Sequence, residues 1–294
     1  MNQAENKNYP AYAAMLGATL LWGSGYIVMK YVLRSFHPMT AVFLRMAVAS
    51  IFCLAIIPIV KIRASYQPGD WKWLLVMVLC EPCLYFIFEG YALRYTSASQ
   101  AGMLVATMPL FVGLGAWLAL KEKLAPIVWM GCVLAVAGVV WLNLGAVASE
   151  HAPRPILGNC LELIAMIFGG GYAVCVRRLS VNYCPIFLTS VQVWAGAIFF
   201  FPGIFLPGGA IPVDAPLLAY AGIAYMGLCM SFVAYSLYNF SLERLPAGQA
   251  SIYLNLIPVF TLVMGMIILG ERLTLMQYAA SALVLGGVII SQRR

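Results

Sequence analysis

Apolar residues run in stretches of about twenty along nearly the whole chain, broken by short clusters of charge, proline or glycine. A hydrocarbon core about 30 Å thick is crossed by roughly 20 helical residues, so each stretch predicts one membrane-spanning helix. Ten are marked off, near residues 11–33, 39–60, 72–93, 97–120, 126–146, 156–177, 185–206, 216–240, 247–269 and 274–292. The predicted fold class is an all-α integral membrane protein. Its loops are short, which leaves no room for a soluble catalytic or nucleotide-binding domain, and no G-x-x-x-x-G-K-[ST] phosphate loop occurs.

Composition agrees with lipid as the solvent. Of 294 residues 63% are hydrophobic and only 9% are Asp, Glu, Lys or Arg, against about 25% charged in a soluble domain. A soluble fold, a coiled coil, collagen and a disordered chain are all excluded on that count. The formal charge of +7 would raise nucleic acid as a partner in a soluble protein, but basic residues in cytoplasmic loops account for it here. Lys7, Lys61, Arg63, Lys72, Lys121, Lys123, Arg177, Arg178, Arg244, Arg293 and Arg294 fall on the face of the N-terminus. Only Lys30, Arg34, Arg94, Arg154 and Arg272 fall on the other, with Arg45 inside the second span, so both termini are expected in the cytoplasm. The partners expected are the lipid bilayer and a small solute, without nucleic acid. No cleaved signal is expected, because the first apolar run is too long for one.

The chain also repeats itself. Leu93, Ala98, Gln100, Ala101, Pro109, Phe111, Leu120 and Glu122 recur 149 residues later as Leu242, Ala247, Gln249, Ala250, Pro258, Phe260, Leu269 and Glu271. Gly23, Gly25 and Tyr26 match Gly169, Gly171 and Tyr172 at an offset of 146. Matching Leu or Val would mean little between two membrane helices, but these pairs are polar or conformationally special. The halves are placed at residues 1–148 and 149–294, each with five spans. An odd number makes the second half enter the membrane from the opposite face. Such an inverted repeat around a shared midplane cavity is a recurring basis of alternating access in secondary transporters.

Taken together these residues resemble the drug/metabolite transporter superfamily, and within it the ten-helix EamA type. The likeness rests on Trp22-Gly23-Ser24 with Lys30, on Pro38, Arg45 and Tyr91-Ala92-Leu93, and on Ala98, Ala101, Pro109 and Glu122. The second half echoes it with Tyr172, Pro185, Gln192, Gln249-Ala250, Pro258 and Glu271. Lys121 stands before Glu122 where the group usually has glycine. The resemblance implies a ten-helix basket around a central cavity formed mainly by helices 1, 3, 4, 6, 8 and 9. It also implies export of small metabolites, as in YddG-like proteins that export aromatic and other hydrophobic amino acids.

Three carboxylates, Glu81, Glu89 and Glu162, fall inside predicted spans, where a charge costs about 2.5–3.5 kcal/mol at the centre. They must be neutral, paired or in a wet cavity. On a helix Glu81 shares a face with Tyr85 and roughly with Phe88 and Ala92. It is expected either to meet a substrate ammonium or to exchange a proton, with a structural hydrogen bond or ion pair as the bland alternative. Glu89 and Arg45 are placed in the outer third of the membrane as a structural pair. Trp22, Tyr172, Tyr225 and Asn255 are further candidates for a cavity lining, because aromatic rings with polar tips suit amphipathic solutes. Tyr238, Trp71 and Trp73, near span ends, are expected in the interfacial belt. Pro109 and Pro258, placed near the middles of helices 4 and 9, are candidate gating hinges, with static kinks as the alternative.

No metal or cofactor is expected, since the only histidines, His37 and His151, lie in loops. Cys80-Glu81-Pro82-Cys83 spells C-x-x-C and invites a membrane thiol oxidoreductase, but buried thiols lose reactivity and no second dithiol stands in a loop. The eight cysteines are read as packing residues. Export of a hydrophobic or aromatic amino acid is therefore the leading expectation. Uptake, or movement of another metabolite or drug, is the rival within transport, and a membrane-embedded enzyme the rival from outside it.

Overall fold

The computed structural model describes residues 9–60, 62–120, 126–144, 148–150, 152–245 and 253–291. Lys121, Glu122, His151, the Gln249-Ala250 pair and the basic residues 7, 61, 123, 293 and 294 lie outside them. Among the described residues ten helical spans follow one another: α1 (Tyr9–Val32), α2 (Pro38–Ile56), α3 (Asp70–Tyr95) and α4, which is built of Ala98–Val105 and Met108–Leu120. Then come α5 (Pro126–Leu144), α6 (Pro155–Leu179), α7 (Pro185–Phe205), α8 (Leu217–Arg244), α9 (Leu256–Ile268) and α10 (Leu275–Ser291). Among the described residues there is no strand, only isolated bridges such as Ala64 to Tyr183.

Local sequence explains where the helices start. Proline occupies the first position of α2, α5, α6 and α7, where its missing N–H would be unpaired anyway and its fixed φ suits a helix. Ser97 caps α4 by accepting from the Gln100 N–H at 3.1 Å, as serine does at helix N-termini. His37 caps α2 through Nδ1, which accepts from the Met39 N–H at 3.3 Å. Burial, and then Arg94, hold the His37 imidazole below its ordinary value of 6.5. Because the folded value is depressed, the cap's stabilisation is complete above pH 6.5 and is lost as pH falls through that lowered value. Thermal unfolding in detergent is expected to show this acid loss, about 1 kcal/mol for one cap, and His37→Ser should cap at every pH and abolish it.

The two halves pack by the same rule. α1 lies against α8 and α9, α6 against α3 and α4, and α2 on α7, α4 on α9 and α5 on α10 form the pairs that a pseudo-two-fold axis exchanges. Equivalent helices α3 and α8 both widen into π-helical turns, at Leu79–Leu84 and Met226–Ala234. The fold is thus two inverted five-helix repeats around a central cavity.

Apolar side chains such as Ile51, Leu118, Ile198 and Ile267 point outward, as lipid requires, while Arg45, Glu81, Glu89, Glu162, Gln192 and Asn239 are buried between helices. Backbone approach is close at Gly170 of α6, where an added Cβ would stand 2.8 Å from Phe111 Cβ and 2.9 Å from the Phe111 carbonyl carbon of α4. Gly170→Ala is expected to force α6 and α4 apart and cost about 1–3 kcal/mol, the usual range for overpacking. Gly286→Ala in α10, with nothing within 4 Å of the new methyl, should leave the melting temperature unchanged or raise it.

Candidate functional site

A cavity lies between the repeats, walled by α1, α2, α3, α4, α8 and the start of α9. Trp22, Gly25, Tyr26 and Met29 of α1 line it at the spacing of one helix face, together with Arg45 of α2. Glu81, Tyr85, Phe86, Glu89 and Leu93 come from α3, Val105 and Met108 from α4, Met230, Tyr235 and Tyr238 from α8, Leu254 from just before α9 and Ile257 from its first turn. Its free volume is about 40 Å³, room for water but not for an amino acid.

The wall is aromatic at one end. Trp22 meets Tyr235 and Tyr238 edge-on at centroid distances of 5.0 and 5.2 Å, the T-shaped arrangement that ring quadrupoles favour. The buried Trp22 Nε1 has no acceptor among the described residues. Glu81 sits in the π-helical turn of α3 with extended backbone, φ −147° and ψ 118°. That break turns its carboxylate toward α8, where the Tyr235 hydroxyl donates to it.

At the other end the charges are paired. The Arg45 guanidinium donates from Nε to Ser231 Oγ at 2.6 Å, approaches Glu89 at 3.8 Å, and stacks over the Phe86 ring at 4.2 Å. The Tyr85 hydroxyl donates to Glu89 at 3.0 Å and lies 3.3 Å from the Tyr26 hydroxyl. Tyr26 in turn stands 3.1 Å from Glu162 of α6. Cation, hydroxyls and carboxylates from five helices of both repeats thereby form one connected polar cluster.

Of the residues singled out by sequence, Trp22, Glu81, Tyr85, Arg45 and Glu89 line the cavity, and Glu162 joins it through Tyr26. Tyr172 stands one layer behind, its ring 5.9 Å from Tyr235 and its hydroxyl meeting the Gln192 and Asn239 amides at 3.0 and 3.1 Å. Tyr225 is bonded to Ser24 at 2.7 Å, and Asn255 precedes the first residue of α9. Neither is part of the lining. Pro109 and Pro258 do not interrupt helices at mid-length. Each lies in the first turn of its segment, Pro109 just after a break at Ala106 and Thr107, where a backbone N–H would have no acceptor within the segment.

Tyr238 is a correction. It is 2% exposed and on the cavity wall rather than in the interfacial belt, because nearness to a span end does not say which way a residue faces. Phe88 also leaves the expected stripe and stacks on Phe168 of α6 at 5.7 Å. The cavity takes the i+4 series Glu81, Tyr85, Glu89 and Leu93 instead. Tyr26 and Phe86 were not among the site candidates, although Tyr26 is four residues from Trp22 on the same face. Cys80 and Cys83 are free thiols, and no cluster of metal-ligating residues exists among the described residues.

This inverted ten-helix architecture around a polar and aromatic cavity is that of a membrane transporter. The EamA-like transporter family model matches residues 9–144 and again 156–292, and the chain belongs to that family. Relatives include the uncharacterized transporter YetK of Bacillus subtilis, 25% identical over 97% of this chain and 87% of that protein. An uncharacterized transporter of Archaeoglobus fulgidus is 29% identical over 93% of this chain and 95% of its own length. A probable terminal-alkyne amino-acid exporter of Streptantibioticus cattleyicolor is 27% identical over 71% of this chain and 69% of that one. A crystal structure 17% identical in sequence superposes with a TM-score of 0.68 over 95% of each chain, and shares the fold.

Proposed function

We propose that the chain exports small amphipathic metabolites across the cell membrane, hydrophobic and aromatic amino acids foremost, with both termini in the cytoplasm. The observation that carries this reading is the cavity wall, which sets a carboxylate and a guanidinium beside a cluster of aromatic rings between two inverted repeats. A zwitterion with an apolar side chain complements the carboxylate and the rings, Glu81 for the ammonium and Trp22 and Tyr85 for the apolar body, with Tyr172 one layer behind, Tyr225 tying α8 to α1 through Ser24 and Asn255 at the start of α9. The amino-acid exporter among the relatives supports the same substrate class.

A free volume of about 40 Å³ requires the walls to part before such a solute enters, which is the logic of alternating access. The modules 1–148 and 149–294 rock about the cavity, with Pro109, beside the break in α4, and Pro258, in the first turn of α9, as the hinges. Purified protein in liposomes loaded with labelled amino acids tests the proposal. Saturable efflux of aromatic or branched substrates supports it; chemical conversion of the solute, or flux of none of them, overturns it. Trp22→Ala is expected to raise the half-saturating concentration about tenfold, the equivalent of roughly 1.4 kcal/mol and within the range of an aromatic contact.

A further inference from the structure

The polar cluster on the cavity wall holds more oxygen-to-oxygen contacts than its tyrosines have protons to fill. Glu162 to Tyr26, Tyr26 to Tyr85 and Tyr85 to Glu89 are three successive contacts at 3.1, 3.3 and 3.0 Å. Each needs one hydrogen between its two oxygens, because two lone pairs facing each other repel. The two phenols supply one hydrogen each. Whichever way they turn, one contact is left without a hydrogen unless a carboxyl supplies the third.

We propose that this chain of four side chains is a proton-binding site, holding one proton shared between Glu162 of α6 and Glu89 of α3. Two further observations set its resting place on Glu162. Arg45 stands 3.8 Å from Glu89 and stabilises the ionised form there. Glu162 is fully buried, and its Oε2 has no partner among the described residues. An orphaned oxygen is far cheaper on a neutral carboxyl than on a carboxylate. Then Glu162 donates to Tyr26, Tyr26 to Tyr85, and Tyr85 to Glu89, and all three contacts are satisfied.

Reversing the three bonds moves the proton. The Glu162 hydrogen passes to the Tyr26 oxygen, the Tyr26 hydrogen to Tyr85, and the Tyr85 hydrogen to Glu89, so one proton leaves one repeat and one arrives on the other without net change in either phenol. Among the described residues the remaining titratable and charged groups around the cluster are Arg45 of α2, Glu81 of α3, and Tyr235 of α8, which is committed to Glu81. Use of this proton to drive export rests on the transporter reading; its presence does not.

Infrared spectra of the purified protein at neutral pH, without any solute, test the site. Wild type is expected to show a protonated-carboxyl carbonyl stretch, and Glu162→Gln, whose amide also donates to Tyr26, to lose the amplitude of one carboxyl. Tyr26→Phe is expected to keep that amplitude and shift the band toward the frequency of a carboxyl with no acceptor. Unchanged amplitude in Glu162→Gln, or an unshifted band in Tyr26→Phe, overturns the proposal. The band is read without flux, so its loss and a failure of transport are separate results.

Discussion

Arg45→Met is expected to lower unfolding stability by about 3–5 kcal/mol, the range measured when one member of a buried ion pair is removed. The arginine is 3% exposed and is the cation that faces Glu89. Its loss also removes the partner of Ser231 on α8 and the cation over Phe86. The cost comes from the carboxylate left behind in a low-dielectric interior. Glu89→Gln in the same protein should therefore recover most of the loss, since a neutral amide still accepts from Tyr85. Chemical denaturation or thermal melting in detergent of wild type, both single variants and the double variant measures the coupling directly. If the two losses simply added, the pair would have no energetic link.

The second large effect is expected at Glu271, in the turn between α9 and α10. Its two carboxylate oxygens accept from the Ala98 and Ser99 N–H groups, each at 2.9 Å. These are donors that the first turn of α4 cannot satisfy itself, and the helix dipole adds to the attraction. The geometry comes from Gly270, whose φ of +67° lets the Leu269 and Glu271 N–H groups both reach the Gly265 carbonyl at 3.1 Å. That closes α9 and aims the carboxylate at the opposite repeat. Removing two buried charge-assisted hydrogen bonds in Glu271→Ala should cost about 3 kcal/mol or more, at roughly 1.5–3 each. Glu271→Gln keeps one acceptor and should lose about half as much. A melting temperature unaffected by Glu271→Ala would show that water replaces the carboxylate at no cost.

How far the site could be read in the chain differs from residue to residue. Glu81, Glu89, Glu162 and Arg45 stand out in any sequence of this kind, because an ionisable group within an apolar stretch must have a partner or a purpose. Trp22 and Tyr85 follow from helical spacing near a glycine pair and a carboxylate. Tyr238 could not be placed this way. Its position along α8 suggested the interface, but rotation about the helix axis decides whether a tyrosine meets headgroups or a cavity. The π-helical turns of α3 and α8 have no periodic signature, and they alter which residues share a face downstream. Phe88, downstream of the turn in α3, shows the consequence by leaving the expected stripe.

The number of crossings, the all-helical class and the duplication were determined by the chain alone. Lipid offers no hydrogen bonds, so every spanning segment must satisfy its backbone internally, and that demand is written residue by residue in apolar length and helix-starting prolines. The bonding partners of the buried polar groups were decided only by the tertiary structure. Tyr26 and Glu162 are 136 residues apart, and Tyr235 and Glu81 are 154. No local pattern encodes such contacts, because they depend on how ten helices turn and tilt against one another once the two repeats close.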